Sequence, residues 1–276
     1  MRIRVVVPVT PYATAHRSRD LYAAAARPDV EISLVCLHEG PASIECDHDE
    51  ALAVPGILAA VRAAEAQGMD AVILDCMADP GLSQAREVVS IPVVGPAQAG
   101  MSLAAMLAHR FSVIGVREGD VSAVERQSRA YGFGNRLASV RPVNIPVLEF
   151  DEDPARLEAA VVEQATLAVQ EDRAHAILFG CTGMQGLGRR VARALAEGGC
   201  PVPVIDPTLA ALKLAEGLVD TGLTHSKRTY PPPAPENPSS RQTSLGSQTS
   251  DPRGARGAPS HRTGTQAKSS RLPRRR

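Results

Sequence analysis

Two cysteines, Cys76 and Cys181, stand in the same local setting 105 residues apart. The first ends the apolar run of AVILDCMADPGL (71–82), the second that of AILFGCTGMQGL (176–187), and the alignment puts Gly81 on Gly186 and Leu82 on Leu187. A lone strand-end cysteine reads as a buried residue, since unpaired cysteine is among the most buried side chains, and Cys36 and Cys200 read that way. Repetition of the cysteine, the glycine turn and the helix start points to chemistry instead. Each thiol would lie near a helix N-terminus, where backbone N–H groups and the dipole favour the thiolate. Facing each other across a cleft, the pair could invert a carbon acid. One thiolate removes a proton alpha to a carbonyl, the opposite thiol returns one to the other face, and no cofactor is called for. Such thiols titrate as a coupled pair. The turns CMADPG and CTGMQG offer backbone N–H groups for the enolate.

The elements that must hold these thiols also repeat. PVVGPAQAGMSLA from Pro92 matches PVIDPTLAALKLA from Pro203 after a six-residue insertion, and RIRVVVPV (2–9) faces RFSVIGVR (110–117). Apolar runs predict strands at 3–8, 30–37, 70–75, 91–95, 111–116, part of 138–148, 175–180 and 202–206. Ala-rich segments between them predict helices near 16–26, 49–67, 82–89, 97–108, 120–131, 153–171, 185–197 and 207–221. Alternating β and α elements give an α/β fold: two pseudo-symmetric parallel-sheet lobes with helices on both faces and a cleft between them. The first lobe is expected over 1–97 plus 208–230 and the second over 98–207. Both cysteines fall at the carboxyl ends of core strands, where open parallel sheets bind ligands.

Composition narrows the function classes. Hydrophobic residues make up 44% of the 276 residues but aromatics only 3%, so the core is built of Val, Ile, Leu and Ala, which suits parallel strands under helices. Residues 231–276 are rich in Pro, Ser, Gly and Arg, carry nine Lys/Arg against two Asp/Glu, and are expected to be a disordered basic tail. The remaining body has 21 Lys/Arg against 28 Asp/Glu, so nucleic acid is not an expected partner. Five cysteines (Cys36, Cys46, Cys76, Cys181, Cys200) lack CxxC or finger spacing, which argues for reduced thiols over disulfides or zinc. MRIRVVVPVT is too short and Pro-interrupted for a signal peptide or a membrane span, so a cytoplasmic protein with no membrane partner is the expectation.

Other motifs carry less. In ECDHDE (45–50) the residue types suit a metal, but they are adjacent instead of spaced i, i+4, and acids are expected where a helix starts. No metal site is therefore assigned. GCTGMQGLG lacks the GK[ST] of a phosphate loop. Asp79-Pro80 reads as the N-cap and first-turn proline of the following helix. Asp75 would oppose thiolate formation at Cys76 unless strand alternation points it away. Ser43 is either a turn serine or a cleft residue. THSKR (224–228) either closes over the cleft or pins the chain.

These residues also carry a resemblance. GPASIE (40–45), DCMADPGL (75–82), IPVVG (91–95), FSVIGV (111–116), GCTGM (180–184) and GLTHSKRTY (222–230) are similar to the aspartate/glutamate/hydantoin racemase superfamily, and most like hydantoin racemases. The similarity covers about residues 1–230. It implies a cofactor-independent racemase of a small molecule, a 5-substituted hydantoin or a relative, with Cys76 and Cys181 as the two acid/base residues and assembly into homo-oligomers. The candidate substrate contacts are Thr10, Ser43, Met77, Ala78, Asp79, Val116, Thr182 and Gly183. The chain departs from the hydantoin pattern where VPVTP puts Val7 and Val9 in place of amides. GVREGD (115–120) replaces a threonine pair, and Met77 and Ala78 replace an aromatic residue and a glycine. The alternative readings that the resemblance implies are other reactions of the same superfamily, such as racemisation of an amino acid (aspartate or glutamate), isomerisation of maleate or decarboxylation of a malonate. A two-lobed binding protein without catalysis is the alternative of another class.

Overall fold

The computed structural model describes residues 1–11 and 15–234, the side chains of 15–18 excepted. From 235 onward the expected tail lies outside the described residues. Met1–Pro233 is one unit and Ala234–Arg276 another, and every strand and helix named below belongs to the first.

Among the described residues the eight strands are β1 (Arg2–Val7), β2 (Glu31–Cys36), β3 (Ala71–Leu74), β4 (Val93–Val94), β5 (Phe111–Gly115), β6 (Leu137–Pro142), β7 (Ile177–Phe179) and β8 (Val204–Ile205). They form two parallel four-stranded sheets, in the orders β2-β1-β3-β4 and β6-β5-β7-β8. Between them run α1 (Ala15–Ala25), α2 (Asp47–Ala66), α3 (Leu82–Val88), α4 (Pro96–Leu107), α5 (Asp120–Ala130), α6 (Pro154–Gln170), α7 (Gly188–Glu197) and α8 (Pro207–Asp220). The sequence repeat thus becomes a repeat of topology. All four residues of β3 and all three of β7 are buried, as central parallel strands covered on both faces require. In each sheet the strand order reverses next to these strands, between β1 and β3 and between β5 and β7, and the carboxyl ends there form the customary ligand crevice.

Local sequence explains the helix boundaries. Asp153 and Asp206 accept N–H groups in the first turns of α6 and α8, and Pro96, Pro154 and Pro207 occupy first-turn positions that need no donor. In α2 the buried stripe is Ala53, Ile57, Val61 and Ala64, a helical spacing that turns one face to β1 and β3. Burying each of the larger side chains contributes about 1.5–3 kcal/mol. The start of α7 differs from expectation: residues 182–187 are taken up by a 3₁₀ helix and a turn, so α7 starts at Gly188 instead of near 185. Strands β4 and β8 are shorter than expected.

The largest core cluster joins both sheets, with Ile73 and Val94 on one side and Val113 and Leu178 on the other. Helices α4 and α8 pack against each other in that layer. Helix α4, which follows the first sheet, reaches β7 and β8, whereas α8, which follows the second, packs on β3 and β4. Gly100 permits the approach: a Cβ there would stand 2.7 Å from Leu178 Cδ1 and 3.6 Å from Pro207 Cβ. The chain then runs back over α3 and β4, where Thr224 donates to Ser90 O (2.6 Å) and Val93 N–H donates to His225 Nε2 (3.0 Å). Lys227 Nζ reaches Arg86 O at 2.7 Å, and Arg86 donates to Tyr230 Oη at 3.1 Å. THSKR therefore pins the chain to the first sheet. Among the described residues no helix is long and apolar enough to cross a membrane.

Candidate active site

Cys76 follows β3 and Cys181 follows β7, at equivalent strand ends, and both line one cavity of about 730 Å³. That volume suits a small organic molecule. The backbone repeats as the sequence does, since Gly81 (φ 68°) and Gly186 (φ 81°) both take the left-handed turn that glycine adopts without strain. Gly183 N–H donates to Cys181 Sγ at 3.3 Å, and at the equivalent place the Ala78 N–H has a lowering influence on the Cys76 thiol. Just before Cys181, Gly180 lies against β5, where a Cβ would stand 2.8 Å from Ile114 O. Thr182 Oγ1 donates to Asp75 O (3.3 Å), tying the two cysteine loops to each other.

The Cys76 loop is clamped from behind. Asp79 has a left-handed backbone (φ 48°), and its carboxylate accepts Ala97 N–H at 3.0 Å, Gln98 N–H at 2.9 Å and Tyr131 O–H at 2.7 Å. Gln127 Nε2 donates to Met77 O at 3.0 Å. The expected role of Asp79 as N-cap of the next helix is therefore corrected. Gly81 takes that position at α3, and Asp79 caps α4, whose accepted N–H groups lie 18 and 19 residues further along. The physical reason is the turn at 77–81, which aims the carboxylate across to β4. There Gly95 leaves the room, because a Cβ on it would lie 2.4 Å from Asp79 Cγ.

The expectation that a helix N-terminus lowers both thiols is also corrected, for Cys76. Half-buried Cys76 is pushed well above the ordinary thiol range, first by burial, which outweighs the Ala78 N–H, then by the nearby Cys181, Asp79 and Glu50. Helix α3 begins only at Leu82, beyond the reach of its first-turn dipole. Asp79 is pushed up to about 6 by burial, against the lowering effect of the Tyr131, Gln98 and Ala97 hydrogen bonds and of Arg86. Tyr131 is raised by burial and by that carboxylate. Asp75 is buried and accepts Tyr22 O–H at 3.0 Å.

Of the residues expected at the site, Cys76, Met77, Ala78, Val116, Cys181 and Thr182 surround the cavity. Asp79 stands behind its wall. Gly183 lends its N–H to Cys181 but faces Phe150 and a second, smaller hollow. Thr10 N–H donates to Pro41 O at 3.0 Å, and Ser43 Oγ to Glu45 Oε1 at 3.2 Å; neither lines the cavity, though Ser43 steadies a residue that does. The sequence assigned no role to Glu45, Glu50, Arg117 and Arg126, which also line it. Glu45 pairs with Arg117, and Arg126 Nη2 donates to both oxygens of Asp47 at 2.9 Å. The available signal was the run of acids in ECDHDE after β2 and the charged turn GVREGD after β5.

The family model described as Asp/Glu/Hydantoin racemase matches residues 6–215, which include every residue around this cavity. The chain belongs to that family. It is 39% identical over 231 residues to a hydantoin racemase of Pseudomonas sp. (strain NS671), covering 83% of this chain and 91% of the relative. With a hydantoin racemase of Rhizobium meliloti it shares 44% over 191 residues, 69% and 77% of the two chains. The allantoin racemase structure from Klebsiella pneumoniae superimposes with a TM-score of 0.80 at 36% identity, covering 86% of this chain and 95% of that one. Racemases are isomerases, and membership places the chain in that enzyme class.

Proposed function

We propose that the chain racemises a neutral cyclic or ureido carbon acid of the hydantoin or allantoin type, using Cys76 and Cys181 as a two-base pair. The observation that carries this reading is the pair itself: two thiols at equivalent strand ends on one cavity. One sulfur, as thiolate, takes the proton from the carbon next to the carbonyl. The other, as thiol, delivers its proton to the opposite face, and the roles reverse for the other enantiomer. Burial and the carboxylates of Asp79 and Glu50 favour the state in which Cys76 holds its proton. The pair shares this proton, so its ionisations belong to both sulfurs.

Charge around the cavity favours this substrate class over aspartate or glutamate. Four carboxylates line it, Glu45, Asp47, Glu50 and Asp120, against two guanidiniums, both already paired with acids. A dicarboxylate would enter a region of like charge. Polarimetry of a resolved 5-substituted hydantoin and of allantoin, run in deuterium oxide, tests the proposal. Loss of rotation with deuterium entering at the stereocentre is expected. Rotation that persists with no exchange in either enantiomer rules out the two-base mechanism for that substrate.

A further inference from the structure

Resting on that assignment, we propose that Glu50 is a specificity-determining residue: its carboxylate accepts an N–H of the substrate and turns away anionic analogues. Glu50 lies in the first turn of α2, half-buried, on the wall of the cavity that holds both cysteines. It shares that wall with Cys76, whose thiol its charge helps to raise.

The other acids of the cavity are engaged. Glu45 is paired with Arg117, Asp47 with Arg126, and Asp120 accepts Arg117 N–H at 2.9 Å. Among the described residues the Glu50 carboxylate has no hydrogen-bond donor. Arg126, the cation that acts on it, is held by Asp47. Burial and the neighbouring Asp47 raise Glu50, as expected of a carboxylate whose lost hydration nothing replaces. A partly dehydrated carboxylate with no donor is costly unless something supplies one. A ring or ureido N–H next to the reacting carbon is the matching donor. The same unpaired charge repels a substrate carboxylate, so one residue both attracts the right class and rejects the wrong one.

The test compares the full chain with Glu50→Gln and Glu50→Ala by calorimetric titration. The ligands are a 5-substituted hydantoin, its N1-methyl and N3-methyl derivatives, and aspartate, with racemisation followed in parallel. Glu50→Gln is expected to bind the parent ring about tenfold more weakly. One of the two methylated rings should bind wild type and variant alike, because the donor that Glu50 reads is then missing. Aspartate should bind the variant no worse than it binds wild type. Equal affinity of wild type and both variants for the parent ring overturns the proposal, as does an equal loss for all three rings. In both outcomes wild type still racemises the hydantoin, so the assigned reaction stands. A wild type that neither binds nor racemises any ring removes the assigned reaction and the role of Glu50 together.

Discussion

The loops that carry Cys76 and Cys181 begin from the same backbone plan and are supported by different side chains. Three residues after Cys76 stands Asp79, a buried carboxylate with three hydrogen bonds to α4 and to Tyr131 at the end of α5. Three residues after Cys181 stands Met184, fully buried in the second core cluster. The first loop is held by a carboxylate of its own that reaches the start of α4; the second by the packing of Met184, by glycines at 180 and 183 that fit against β5 and Phe150, and by Asp206 at the start of α8, whose carboxylate accepts Gly186 N–H at 3.0 Å. A duplicated frame therefore gives two sulfurs in equivalent places but unequal surroundings. Around Cys76, the charges that raise it most include two carboxylates, Asp79 and Glu50. An inversion between mirror-related faces needs two positions, and it does not need those positions to be electrostatically alike.

The largest expected effect removes either sulfur. Cys76→Ser and Cys181→Ser should each lower kcat/KM for racemisation by about 10²–10⁴-fold, the contribution of a positioned acid or base. The double variant should be little worse, because the pair acts as a unit. Deuterium exchange in each single variant should survive for one enantiomer only, and for opposite ones. Exchange of the same enantiomer by both variants would break the pairing of one sulfur with each face.

Next comes the support of each loop. Asp79→Ala leaves two N–H groups and a buried hydroxyl without their acceptor and should cost about 2–3 kcal/mol in urea denaturation. Met184→Leu nearly conserves volume and should cost less than about 1.5 kcal/mol. Equal costs would remove the distinction between Asp79 and Met184 as supports of their loops.

A pH profile isolates the carboxylate. Burial raises Asp79 to about 6 in the folded chain, above an unfolded value of about 3.9. Between these values the folded state binds the proton more tightly, so this group's contribution is fullest below pH ~4 and is lost as pH rises through ~6. Asp79→Asn should flatten that part of the Tm-against-pH curve relative to wild type, whereas Met184→Leu should leave its shape unchanged. The smallest effect is expected at the rim. Arg126→Ala should cost under about 1 kcal/mol, since both it and Asp47 are exposed, and the difference should shrink in added salt.

Strand positions and the cysteine repeat were legible because continuous apolar runs such as AVIL and ILF have few places to go except a covered parallel sheet. The turn after Cys76 was not. Asp79-Pro80 carries a local capping signal, and only the fold reveals that the carboxylate reaches a helix beyond the next strand. Pairings across the repeat were equally hidden. Asp47 and Arg126 lie 79 residues apart, and an acid at a helix start already has a sufficient local explanation in the dipole. Glu50 was concealed for the same reason.

The exchange of α4 and α8 between the sheets has a consequence for how the chain is made. Synthesis proceeds from the N-terminus, and the four strands of the first sheet are complete by Val94. The segment that packs on β3 and β4, Pro207–Asp220, is made last of the unit's helices. Ile73 and Val94 share a core cluster with its Ala211, Leu212 and Ala215, so that cluster is completed only when this helix arrives. Such a delay favours docking both sheets in one late step over maturing one lobe before the other.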